Sequence, residues 1–462
     1  MSLLESALPD NLGAQASLPR EMSLDIPPAA IDAAQKVVSV LPISSSSVGP
    51  NQQIQIQVPA RNMMRSGSAY LMFDVIFSGA SHAFSFATAS ASASALFQSM
   101  QLSVGGVVLE SINNYSHWAG NVVEAHAKNG SYLAEQAICA ASFSPEQWKD
   151  TETYDGVNHT GYNLLPVAVS QFRTAAAAPN GNRYRFALDL HLGLLNNKHA
   201  QAVPLFLFGQ GMLLTIMTSP LTRAVSMSDA AATLDSYAIE NIQMCYTEIT
   251  PPQTYVDSVR AGLAQGKMVK IEAESVLNLQ VGANSSLQQI YSLNLSSLDA
   301  ILFGIVRDQD SLATSKFFEG NLQDLNAPEL VRNQIYVDGQ LIYNSAQQLN
   351  IPSQCFRELR KAITGVVAGL DGESLCKQIG KPSEVRTPAS RYNGSYVNQA
   401  YLRGLSTRKF VSDDVSFPGT RCSTVTLELQ NPGVASTSTV QIFFIYSYAL
   451  TIDASGTVSK VQ

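Results

Sequence analysis

The chain has 462 residues, long for a single hydrophobic core and sufficient for two domains of ordinary size. Hydrophobic residues make up 45% and exclude bulk disorder, whereas charged residues make up only 14% against a usual share of about 25%. A surface this poor in charge is built from Ser, Thr, Asn, Gln and Ala or is covered by partners, and a net charge of −7 argues against a nucleic-acid polyanion as direct ligand.

In chain order, the opening MSLLESALPDNLGAQ lacks the basic start and apolar run of a secretory signal. Residues 1–36 read as an arm. Pro9, Pro19, Pro27 and Pro28 interrupt it, and it is either disordered or ordered only against a neighbouring subunit. Beyond the arm the apolar period is two. Ile54, Ile56 and Val58 alternate with glutamine, and Leu71, Phe73, Val75 and Phe77 repeat the pattern, as do Leu188, Leu190 and Leu192. Such segments are half-buried antiparallel strands. Helical spacing is confined to Ser116–Lys128, to Val256, Val259 and Leu263 with Gly266 as the stop, and to the surroundings of Phe356 and Leu359. The chain is therefore expected to be all-β with a few short helices. VQIFFIYSYALTI is the most apolar run and too short to span a bilayer. Cys139, Cys245, Cys355, Cys376 and Cys422 are scattered and odd in number, the pattern of thiols in a reducing compartment.

The pattern occurs twice. MQLSVGGVVLE and NQIYVDGQLIY align Gln101 with Gln334, and each places two strands around a Gly-Gly or Asp-Gly turn of type I′. Further matches fall in the same order: Ile56 and Val58 with Leu279 and Val281, Phe73 and Val75 with Phe303 and Ile305, Leu190 with Leu427, Cys245 with Tyr448, and helices near Trp118 and Leu359. The expected organisation is an arm (1–36), a first jelly roll (37–250), a linker helix (251–267) opened by Pro251-Pro252, and a second jelly roll (268–462). These are two tandem eight-stranded sandwiches. The stretches 130–182 and 365–420, rich in turn residues, are expected to be projecting loops.

Catalytic, cofactor and metal motifs are not found. The six histidines, His82, His117, His126, His159, His191 and His199, contain no HxH or HExxH pair. That removes bicupin chemistry, His117 and His126 stand too far apart to share an ion, and His191 falls on the polar phase of its strand, where solvent is expected. Asp308, Asp310 and Glu319 have calcium-loop spacing, but Leu312 and Ala313 occupy positions needing an oxygen donor and a glycine, so a polar turn is expected. Gly266-Lys267-Met268 fails as a phosphate loop, Gly209 and Gly211 read as a turn before a strand, and Arg357, Arg360 and Lys361 as a solvated helix face. Asn158–Thr160 has glycan-acceptor spacing but no secretory signal to support it.

The stretch ALFQSMQLSVGGVVLESINNYSHWAGNVVEAHA resembles double jelly-roll major capsid proteins of the adintovirus, polinton-like virus and virophage type. The residues carrying the likeness are Leu96-Phe97, Gly105-Gly106, Asn114-Tyr115 and the helix with Trp118; VPLFLFGQGMLLTIMT is similar to a strand pair late in the first jelly roll of such proteins. The resemblance implies a non-enzymatic virion protein made inside a host cell. It implies homotrimeric, pseudo-hexagonal capsomers tiling an icosahedral shell around double-stranded DNA. Penton and minor capsid proteins are implied partners, with an internal membrane beneath the shell in many relatives. Two rivals are an intracellular tandem-sandwich binding module, with aromatic residues clustered in one concave site, and a tandem jelly-roll hydrolase, with convergent carboxylates in a cleft.

Overall fold

The computed structural model describes residues 33–45, 47–79, 84–88, 92–124, 183–196, 202–227, 234–282, 286–306, 332–342, 347–348, 352–363, 402–409, 417–430 and 439–462. The first half contains β1 (Ala34–Val40), β2 (Ser47–Val48), β3 (Gln53–Val58), β4 (Met63–Met64), β5 (Tyr70–Ser78), β6 (Phe84–Phe86), β7 (Phe97–Val104), β8 (Val107–Ile112), β9 (Arg183–Asp189), β10 (Met212–Thr218), β11 (Val225–Met227) and β12 (Ser236–Thr250). One antiparallel sheet runs β1-β12-β5-β9 and a second β3-β10-β7-β8. The alternation read from the sequence decides which side of each strand is covered. Ile54, Ile56 and Val58 on β3 and Leu71, Phe73, Val75 and Phe77 on β5 are all buried. Phe73 meets Phe97 edge-on at 5.3 Å between ring centroids, joining the two sheets in the arrangement aromatic pairs favour.

The second half contains β13 (Val269–Gly282), β14 (Ser286–Val306), β15 (Arg332–Val337), β16 (Gln340–Leu341), β17 (Gln347–Gln348), β18 (Arg403–Ser406), β19 (Thr420–Gln430), β20 (Thr439–Ile452) and β21 (Val458–Val461). Two separate sheets were expected here, but the ladder is continuous, β13-β20-β14-β19-β15-β16, because β14 belongs to both layers. Its residues Ser286–Ser292 pair with β19, and Leu298–Val306 pair with β20. Register shifts between Ser292, Leu295 and Leu298 bend the strand, and Asn294 stands there in the left-handed region with φ 52°. Once β14 is split at that bend, both halves have the same two strand orders. β1-β12-β5-β9 matches β13-β20-β14-β18, and β3-β10-β7-β8 matches β14-β19-β15-β16.

This topology keeps some of the repeat alignment and corrects the rest. β7 matches β15, β5 matches the later part of β14, and β12 matches β20, as aligned. Ile56 and Val58 on β3, however, correspond to the start of β14 and not to Leu279 and Val281 on β13, whose equivalent is β1. The Leu190 and Leu427 match also fails: β9 is an outer strand equivalent to β18, and β19 is equivalent to β10. Alternating apolar patterns are interchangeable between strands, so order along the chain alone misassigned them. β18 also lies inside the stretch 365–420 expected to be loop. The remainder of that stretch apart from 402–409 and 417–420, and all of 130–182, lie outside the described residues.

Both hairpins have the predicted turn. Gly105 and Gly106 have φ 56° and 85°, and Asp338 and Gly339 have 49° and 76°, two consecutive left-handed residues in each case. After β8 the chain forms a fully buried wide-turned helix, His117–Val123, closed by the Glu124 N–H donating to the Ala119 carbonyl. Between the halves, the helix Gln253–Ala264 buries only Leu263. It follows Pro251-Pro252 and stops at Gly266, whose φ is 82°. Among the described residues no strand before 251 pairs with one after 268, and no helix is long and apolar enough to cross a membrane.

Candidate functional site at the seam between the sandwiches

The two halves meet through β8, the helix His117–Val123 and residues 190–196 on one side, and β13, β20 and β21 on the other. β8 carries a one-residue bulge: Leu102 pairs with Glu110, but Ser103 pairs with Val108. The inserted residue leaves Leu109 and Glu110 both buried, so a carboxyl group faces the seam.

Glu110 has a full set of donors. Its Oε2 accepts from the Gly193 N–H at 2.8 Å, and its Oε1 accepts from the Leu194 N–H at 2.6 Å. The Tyr448 hydroxyl, from the other half, donates to Oε1 at 2.9 Å. Above this pair, Lys460 Nζ donates to the Leu109 carbonyl at 2.6 Å and to the Tyr446 hydroxyl at 3.1 Å. The same ammonium stands 4.7 Å from the Tyr448 ring centroid, within cation–π range. Burial raises the Glu110 carboxyl above the usual carboxylate range, while its hydrogen bonds and Lys460 pull the other way. Burial and the neighbouring carboxylate hold the Tyr448 hydroxyl well above its ordinary value, so it remains a donor.

The opposite flank of the seam is apolar and amide-lined. Trp118 packs on Phe443 at 5.8 Å between centroids, and the Asn114 amide donates to Asn278, which donates in turn to the Ile442 carbonyl at 3.1 Å. Gly193 lies against the Glu274 backbone so closely that a Cβ there would overlap the Glu274 carbonyl. A glycine is needed at this position for close approach and not for its φ.

His191 corrects the sequence reading. It is 6% exposed, because β9 ends at Asp189 and the period-two rule ends with it. Its N–H donates to the Tyr115 hydroxyl at 3.0 Å, and its carbonyl accepts from Trp118 Nε1. Its Nε2 lies 3.5 Å from Glu124 Oε1. His117 is buried with Nδ1 2.8 Å from the Asn121 amide. His82, His126, His159 and His199, the Asp308–Glu319 stretch and Asn158–Thr160 lie outside the described residues. Arg357, Arg360 and Lys361 form an exposed helix face opposite buried Leu359, with Lys361 paired to Glu358 at 3.0 Å. Gly211, φ 75°, makes the expected turn before β10. No cluster of His, Cys, Asp or Glu among the described residues could hold a metal ion. Sequence reasoning missed Glu110, Tyr448 and Lys460, since residues more than three hundred positions apart leave no local pattern.

No family model matches the sequence, and no curated protein matches it. Solved structures do match in fold. A quasi-atomic model of the PBCV-1 virus capsid is 11% identical with a TM-score of 0.57, covering 95% of this chain and 98% of that one. The Faustovirus major capsid protein is 10% identical with a TM-score of 0.55, covering 94% and 92%. The mavirus major capsid protein is 10% identical with a TM-score of 0.52, covering 98% and 96%. At these identities the likeness is one of fold, and it extends over both sandwiches.

Proposed function

From the double jelly-roll fold that it shares with viral major capsid proteins, we propose that this chain is itself a major capsid protein. Three copies pack as a pseudo-hexagonal capsomer, and capsomers tile an icosahedral shell around double-stranded DNA. The observation that carries the reading is the repetition of both strand orders in one chain, which gives three molecules six similar lobes. Its mechanism is assembly without turnover: loop and sheet-edge surface is buried between copies. The edge strand β1 fits that role: among the described strands it pairs only with β12, it carries Val37 68% exposed, and Leu41 and Ile43 just beyond it are 67% and 66% exposed. Penton and minor capsid proteins complete the shell, an internal membrane can lie beneath it, and the chain resides in the virion.

Light scattering on the purified chain, followed by negative-stain microscopy, tests this. Trimers with a hexagonal outline support it. A stable 49.7 kDa monomer at all concentrations overturns it, and a monomer with one concave aromatic site supports the binding-module rival.

A further inference from the structure

Between the Glu110 network and the Trp118–Phe443 contact lies a cavity of about 30 Å³, walled by Glu110, Trp118, His191, Glu274 and Ser275 among others. Most of its polar groups are satisfied. Both Glu110 oxygens accept hydrogen bonds, the Trp118 indole donates to a carbonyl, and Glu274 accepts from Arg408 at 2.9 Å. Three atoms are different: Ser275 Oγ and His191 Nδ1 have no hydrogen-bond partner within the protein, and His191 Nε2 has only the long 3.5 Å approach to Glu124 Oε1. Ser275 is 2% and His191 6% exposed, so bulk solvent does not serve them. Buried polar atoms of this kind are nearly always partnered.

A water needs about 10–15 Å³ and two to four polar partners, and the cavity offers both. We propose that the seam contains an internal hydration site, in which one or two ordered waters bind Ser275 Oγ from the second sandwich and the imidazole of His191 from the first. A hydroxyl can both donate and accept, and an imidazole offers two ring nitrogens, which suits water. The wall does not suit a metal ion, since no metal-holding cluster exists among the described residues. The joint is then wet at its centre, with tyrosine, lysine and carboxylate on one flank and Trp118, Phe443 and the asparagine pair on the other.

A high-resolution crystal structure of the full chain tests the site. Solvent density is expected at about 2.7–3.2 Å from Ser275 Oγ and from a His191 ring nitrogen, and it should fall to less than half its occupancy on Ser275→Ala. Xenon pressurisation of the same crystals should leave the cavity free of xenon, as a polar hydrated cavity does and a dry apolar one does not. Bound xenon, absent solvent density, shorter ion-coordination distances, or His191 and Ser275 turned onto protein partners would each overturn the proposal. If the variant does not crystallise, the parent crystals decide by density and xenon alone.

Discussion

Replacing Tyr448 with phenylalanine removes one oxygen from the seam and little else. The ring stays, and with it the contacts to Tyr446 and to the Lys460 ammonium. The loss is the 2.9 Å hydrogen bond to Glu110, the one donor to that carboxyl from the second sandwich among the described residues. The Gly193 and Leu194 amides still hold Glu110 to its own half. A hydrogen bond to an ionised partner is worth about 1.5–3 kcal/mol, and one between neutral groups about 0.5–1.5 kcal/mol. Because burial raises the Glu110 carboxyl, the cost of Tyr448→Phe should itself grow with pH as that group ionises. For a half of this size, 1.5–3 kcal/mol corresponds to a fall in Tm of about 3–12 °C. The assay is thermal unfolding of parent and variant across a pH series, with hydrogen exchange on β8 and β20 locating the loss. A variant within about 0.5 kcal/mol of the parent at every pH, with unchanged exchange at β20, would refute the reasoning.

Glu110→Gln should flatten part of the pH dependence of stability. A raised carboxyl contributes stability that is fully present below the unfolded value of 4.5 and is lost as pH rises through the folded value, so a variant with the parent's slope there contradicts the assignment. Asp338 is the opposite case: the Thr424 and Ser423 N–H groups hold its carboxyl below the usual range. Its stabilisation is present above 3.8 and lost as pH falls through the depressed folded value, and Asp338→Ala should remove that acid-side loss in a denaturant titration. Gly339→Val should cost at least about 1–2 kcal/mol, the price of a left-handed side-chain residue, because φ is 76° although open space surrounds the position. Gly339→Asn should recover most of that loss, and equal stability of the two variants argues against the turn assignment. Gly193→Ala meets a backbone carbonyl and should cost about 1–3 kcal/mol or more by overpacking, measured as a lower denaturant midpoint with faster exchange at β13.

What could be read from the sequence was local. The strict alternation of Ile54, Ile56 and Val58 identified β3, and Gly105-Gly106 with Asp338-Gly339 identified both hairpins, because a positive φ restricts which residues can stand there. Pairing partners were harder. Leu279 and Val281 carry the same signature as Ile56 and Val58, yet belong to a strand in the other layer, since a period of two says which face is buried and not which neighbour is bonded. The bend in β14 left only a faint mark: Leu293 and Leu295 keep the alternation through Asn294, and the three-residue step to Leu298 is the single break in phase. The seam was least legible. Glu110 follows three apolar residues in an ordinary strand, and only the bulge at Leu109 and the arrival of Tyr448 and Lys460 from the chain's far end make it a junction. His191 was misread for a related reason: it lies just past the last ladder residue, where strand phase no longer reports exposure.

The unbroken course of β14 distinguishes two lobes that otherwise copy each other. The first sandwich reaches from one layer to the next through a separate connector containing β4, whereas the second makes the same passage within one bent strand. A ring of three chains would therefore present two kinds of corner in alternation, and its apparent sixfold outline would reduce to true threefold symmetry at those corners. Any neighbouring molecule that grips a corner could then tell adjacent positions apart.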